Sequence, residues 1–137
     1  MVVIESSVRI DASRDKVWDV AADLDNEPKF WKGTVSVRNI SKSGNKIERE
    51  VTLAFRNKRC MQEVSLEPKE KIFVKFTKGV IIGSKTITLQ EDKGGTILNV
   101  RWDITMRGVM GVFSGMLKGH IRGGTESSLR AIKASVE

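Results

Sequence analysis

The chain has one cysteine and one histidine among 137 residues. A lone cysteine, Cys60, excludes an intramolecular disulfide, and with a single histidine it leaves too few ligands for a Cys/His zinc site. No metal and no cofactor are expected. The longest apolar run, residues 109–117, is broken by glycines and a serine and is far too short to span a bilayer. The first ten residues, MVVIESSVRI, lack a basic segment followed by an apolar one, so no secretory signal is visible and a cytoplasmic location is expected. Low-complexity tracts, linkers and internal repeats are all missing. Residues 1–137 therefore read as a single domain with one core.

Positive charge is in excess: 24 lysines and arginines against 17 acids give a net charge of +7. That balance favours anionic partners, whether nucleic acid, a membrane surface or an acidic small molecule. Acidic residues are interleaved throughout, and no run of five like charges occurs. The plain reading is a solvated basic surface.

Residues 2–10 alternate, with Val2, Ile4, Ser6, Val8 and Ile10 on one strand face. Ser13 predicts an N-cap, followed by Val17, Val20, Ala21 and Leu24 at helical spacing. Asp25-Asn26-Glu27-Pro28 stops that helix and starts a short second one carrying Phe30 and Trp31. From Thr34 to Met106 the pattern is strand-like. Strands are predicted over residues 34–40, 46–56, 59–67, about 72–76, 80–90 and 96–106, with turns at Asn57-Lys58, Pro68-Lys69, Lys78-Gly79 and 92–95. Gly83 signals a bulge or a close backbone approach.

After the strands comes the longest helical pattern, residues 108–137. Val109, Phe113, Met116 and His120 form an apolar stripe that includes the only histidine. Gly111, Gly115, Gly119 and Gly123 recur every fourth residue beside it. Interior glycines cost a helix about 1 kcal/mol each, so its surroundings must matter more than its propensity. Close packing against a neighbour or a movable lid is expected. A phase change at Gly123-Gly124 suggests a kink. Short turns between successive strands imply an antiparallel meander with one face to bury, and only this helix is long enough to cover it. A curved sheet around one helix leaves a cavity.

The opening stretch Ile10-Asp11-Ala12-Ser13-Arg14-Asp15-Lys16-Val17-Trp18-Asp19-Val20, then Asp23-Leu24, Phe30-Trp31 and the closing Leu129-Arg130-Ala131-Ile132-Lys133 resemble the START-like, or SRPBCC, superfamily. The resemblance covers the whole chain, as a single START-like ligand-binding domain, and is nearest to the polyketide cyclase/dehydrase and lipid-transport branch. It implies an α+β helix-grip (START/Bet v 1-like) fold: a curved antiparallel sheet of about seven strands, ordered β-α-α-β-β-β-β-β-β-α, around a long C-terminal helix. It also implies a deep cavity for a hydrophobic or amphipathic molecule, and it supplies no universal catalytic motif.

Polar residues in inward registers are the candidate ligand contacts. Arg49 shares a face with Ile47, Val51, Leu53 and Phe55; Gln62 lies between Cys60 and Val64; Lys85 is in phase with Ile87 and Leu89 unless a bulge near Gly83 shifts it. With His120 they would bind a head group, while Trp31, Phe76, Trp102, Phe113 and Met116 surround the apolar part. Buried Arg49 and Lys85 would need an anionic ligand, a carboxylate partner or solvent. Otherwise they lie at strand ends and reach water by their stems. Gln62 has the alternative of a local hydrogen bond, and His120 that of a structurally satisfied side chain. Cys60 is read as a buried structural thiol.

The leading expectation is binding, transport or sensing of a hydrophobic or amphipathic, anionic small molecule: a lipid, isoprenoid, quinone or polyketide-like aromatic. The alternative is a cyclase- or dehydratase-type enzyme with His120 as acid/base in the same cavity. Ranked lowest is a basic protein working at an anionic membrane or RNA surface. Transient membrane contact is allowed, nucleic acid is not expected, and the oligomeric state is left open.

Overall fold

The computed structural model describes residues 2–106 and 114–137. It contains β1 (Val2–Ile10), α1 (Arg14–Ala21), α2 (Glu27–Phe30), β2 (Thr34–Ser43), β3 (Lys46–Leu53), β4 (Arg59–Glu67), β5 (Lys71–Lys78), β6 (Ile81–Asp92), β7 (Gly95–Met106) and α3 (Ser114–Val136). Single 3₁₀ turns at Leu24–Asn26 and Phe55–Asn57 join α1 to α2 and β3 to β4. The seven strands form one antiparallel sheet in the order β1-β7-β6-β5-β4-β3-β2. The meander is thereby continuous from β2 to β7, and β1 closes beside β7. This is the helix-grip architecture that the sequence predicts.

The alternation does what the strand period demands. In β1, Ile4 and Ile10 are buried while Val3, Glu5, Ser7 and Arg9 face out. In β7, Leu98, Val100 and Ile104 share the inner face with Trp102. Ser13 caps α1 by accepting from the Lys16 N–H at 3.3 Å. Val17 and Leu24 from the helical connection join Ile10, Leu98, Leu129 and Ile132 in the core. α3 packs against β1, β7, α1 and α2. Its C-terminal end is tied to the end of β1: Lys133 Nζ donates to the Arg9 carbonyl at 2.9 Å, and Glu137 accepts from the Asp11 N–H at 2.7 Å.

Two expectations need correction, and at Gly83 one of two alternatives is decided. The third predicted strand stops at Leu53, because Arg56 and Asn57 take left-handed backbone angles that turn the chain before β4. Phe55 is therefore at a turn and not on a strand. Gly83 makes a close backbone approach and no bulge: at φ +123° any Cβ would collide with the carbonyl oxygen of Asp103 on β7, β6 and β7 stay in register past it, and the β5–β6 pairing runs without a shift up to it. The helical glycines, finally, are not contact points. A Cβ added at Gly115, Gly119, Gly123 or Gly124 would meet nothing within 4 Å, and α3 runs through Gly123-Gly124 as one helix. Val109, Gly111 and Phe113 lie outside the described residues, as does the side chain of Met116.

Candidate functional site

Between the inner face of the sheet and α3 is a cavity of about 630 Å³. The closed end of the molecule is filled by the core around Ile10 and Leu129, so the cavity occupies the other half. There α3 presents Gly119, Gly123 and Gly124. These three glycines leave space where larger side chains would fill it, which explains why the helix tolerates them although its own propensity disfavours them.

A buried polar cluster forms one part of the wall. Arg49, from β3, is 1% exposed. Its Nη2 donates to Glu27 Oε1 at 2.6 Å, its Nε to Gln62 Oε1 at 2.9 Å, and its Nη1 to the Leu24 carbonyl at 3.4 Å. Thr34 Oγ1 donates to the other Glu27 oxygen at 2.9 Å. Arg49 and Gln62 are direct partners in the β3–β4 register, so their bond follows from strand pairing. Glu27 opens α2, where the following Pro28 is tolerated in the first turn, and the chain thereby delivers a carboxylate over the sheet.

Lys85, on β6, is also buried. Its Nζ lies 3.3 Å from the ring centroid of Trp31 and 4.9 Å from that of Trp102. Lys85 and Trp102 are register partners on β6 and β7, while Trp31 caps α2 from above. A cation held between two indole faces is stabilised by their quadrupoles. Phe76 extends this aromatic wall, stacked on Trp102 at 6.1 Å. Trp102 Nε1 donates to Thr125 Oγ1 at 3.0 Å, which fixes the indole against α3.

The electrostatics follow from this packing. Burial alone would raise the Glu27 carboxyl. The charges of Lys85 and Arg49, with the hydrogen bonds from Arg49 and Thr34, outweigh it and hold the group below its ordinary range. Burial pushes the Lys85 ammonium down to about 8, against the attraction of Glu27 and with the help of Arg49. Cys60 is buried too, and burial pushes its thiol up to about 11, so it is no thiolate at neutral pH.

The structure thus brings Arg49, Gln62, Lys85, Trp31, Phe76 and Trp102 into one cavity wall. Arg49 and Lys85 do not reach water from strand ends. His120 lines the same cavity but is exposed, and among the described residues no side-chain hydrogen bond joins it to the cluster. The sequence reading missed Glu27, Thr34 and Thr125. The signal that could have found Glu27 is an imbalance, since two inward cations on the sheet had no inward carboxylate beside them and a carboxylate from a neighbouring helix was one way to supply it. Among the described residues no group of acids, histidines and cysteines is placed to hold a metal ion, and no helix is long and apolar enough to cross a membrane.

The whole chain, residues 1–137, matches the family described as polyketide cyclase / dehydrase and lipid transport. No curated protein matches it. Among solved structures it is similar to TTHA0849 from Thermus thermophilus, with a TM-score of 0.85 and 14% identity over 98% of this chain and 97% of that one. It is similar to the Zhui aromatase/cyclase from Streptomyces sp. R1128, with a TM-score of 0.80 and 15% identity over 98% and 93%. Ara h 8.0201 aligns with a TM-score of 0.71 and 13% identity over 98% and 97%. At these identities the likeness is one of fold.

Proposed function

The chain belongs to the polyketide cyclase/dehydrase and lipid-transport family, and from that premise we propose that it binds a hydrophobic or amphipathic small molecule with an anionic group, as a carrier or sensor. The observation that carries this reading is the uneven charge of the cavity wall. Each of the three Arg49 nitrogens has a partner, in Gln62, the Leu24 carbonyl and Glu27. Among the described residues Lys85 makes no hydrogen bond or ion pair: its ammonium lies against Trp31 and Trp102, and the nearby Glu27 charge that attracts it is already bonded to Arg49, so the wall holds two cations and one carboxylate beside a mostly apolar space. A carboxylate, phosphate or phenolate entering with an apolar body would complete both the charge and the burial. Lipids, isoprenoids, quinones and polyketide-like aromatic acids meet that description.

Native mass spectrometry and solvent extraction of the purified protein test the reading. A retained acidic lipid or aromatic compound, displaced by a second anionic amphiphile, is the expected result. Failure to retain any such compound across a broad screen would count against it. His120 lines the cavity as an exposed residue with no side-chain hydrogen bond to the buried cluster among the described residues, so its replacement by glutamine should weaken ligand retention less than Lys85→Met does.

A further inference from the structure

The excess positive charge is scattered in sequence but gathered by the fold. The cavity's exposed side lies at the end of the sheet where β2, β4 and β6 begin and β3, β5 and β7 finish. The segments there are residues 28–35, 54–59, 77–82 and 114–122. Together they carry eight lysines and arginines and no aspartate or glutamate, while the rest of the chain balances to within one charge. Lys32, Arg56, Lys58, Arg59, Lys78 and Arg122 are all exposed, and none pairs with a carboxylate among the described residues. At the opposite end Arg9, Arg14, Lys69, Lys71 and Lys133 pair with Asp92, Glu91, Asp15, Glu67 and Glu137.

Apolar exposure is concentrated at the same end. Val3, Val35 and Ile82 are exposed at the edges of β1, β2 and β6, and only Ile40 among the exposed large apolar residues described lies elsewhere. Leu53, Phe55 and Val80 line the cavity beside the cations and are themselves only half-buried. Asp103, near this end of β7, is neutralised by Arg101 at 2.8 Å, and Glu50 on β3 pairs with Arg38 at 3.4 Å.

We propose that this end of the molecule docks on an anionic lipid bilayer, with the cavity opening toward the headgroups. A bilayer surface offers negative charge and, immediately beneath it, an apolar layer that Val35, Ile82 and Phe55 can enter. Nucleic acid would match the charge but leave the apolar residues unpartnered. Docking concerns the outer surface and stands whether or not the cavity holds the ligand class proposed above.

The test is sedimentation of the 137-residue chain with vesicles of phosphatidylcholine alone and of phosphatidylcholine with phosphatidylserine, at low and moderate salt. Binding is expected only to the anionic vesicles, weakening with salt. The triple variant K32E/K58E/K78E should lose roughly tenfold or more of it, and K16E/K42E/K46E, with the same charge change at other exposed sites, should lose far less. Thermal melts check that both variants fold, and native mass spectrometry reports cavity occupancy separately. Equal loss from the two variants, binding indifferent to lipid charge, or rim-dependent binding of polynucleotide or an acidic protein without any vesicle binding would overturn the proposal.

Discussion

Glu27, Arg49 and Lys85 divide the work of the site between folding and recognition. Glu27 and Arg49 neutralise each other inside the protein, so removing one leaves the other buried without its partner. Glu27→Leu should destabilise the protein by about 3–5 kcal/mol and Arg49→Met comparably, whereas the two changes together should cost much less than their sum. Chemical denaturation of the two single variants and the double variant measures the coupling, and additive losses would show the pair to be incidental. Lys85 differs because its ordinary value of 10.5 is lowered to about 8 in the folded state. A base with a depressed folded value contributes stability that is full above pH 10.5 and lost as pH falls through 8, so wild type should gain about 3 kcal/mol on Lys85→Met across that window. Binding runs the opposite way, since an anion needs the charged form. The affinity for an anionic probe such as 1-anilinonaphthalene-8-sulfonate should fall as pH rises above 8, and Lys85→Met should be weaker at neutral pH with little pH dependence. A wild-type profile that stays level through about pH 9 would remove Lys85 from recognition.

At the scale of elements, the strands were legible in the sequence because their period is two and their turns carry turn residues. β4 is predicted from Arg59 to Glu67 and found there, and the inward registers of Arg49, Gln62 and Lys85 followed from the same alternation. What the sequence concealed depends on contacts across the fold. Arg56 and Asn57 carry no glycine to announce a left-handed turn, so β3 is shorter than its alternation suggests. Glu27 is one acid among several at a helix boundary until α2 places it over Arg49. The glycines of α3 were visible, but their meaning was not, since spacing cannot distinguish a tight contact from a space. The structure makes that distinction testable: Gly123→Ala with Gly124→Ala should stabilise α3 by about 2 kcal/mol, because nothing obstructs the added methyls. The same change should weaken binding of the anionic probe, because both positions line the cavity. A variant with a higher melting temperature and undiminished probe affinity would mean that these glycines do not set the cavity's capacity.

Taken whole, the molecule has a filled half and a hollow half along a single helix. From Thr125 onward α3 buries Ser128, Leu129 and Ile132 against β1 and α1, and its end is pinned to β1 through Lys133 and Glu137. From Gly119 to Gly124 the same helix faces the cavity with glycines and, with only the half-buried Ile121 against the core, has little of the packing that usually holds a helix in place. Local stability should follow that difference, since amides open most readily where apolar contacts are few. Hydrogen exchange followed by mass spectrometry should find peptides covering 114–124 exchanging well before those covering 125–136. A ligand that fills the cavity restores the missing contacts on one side of the helix, so it should slow the first group and leave the second nearly unchanged. The helix would then report occupancy of the cavity at the basic, lipid-facing end, linking what is bound inside to the surface presented outside. Uniform protection along α3 in the ligand-free protein would show that the glycine segment is held by something other than its cavity contents, and the link between occupancy and surface would be lost with it.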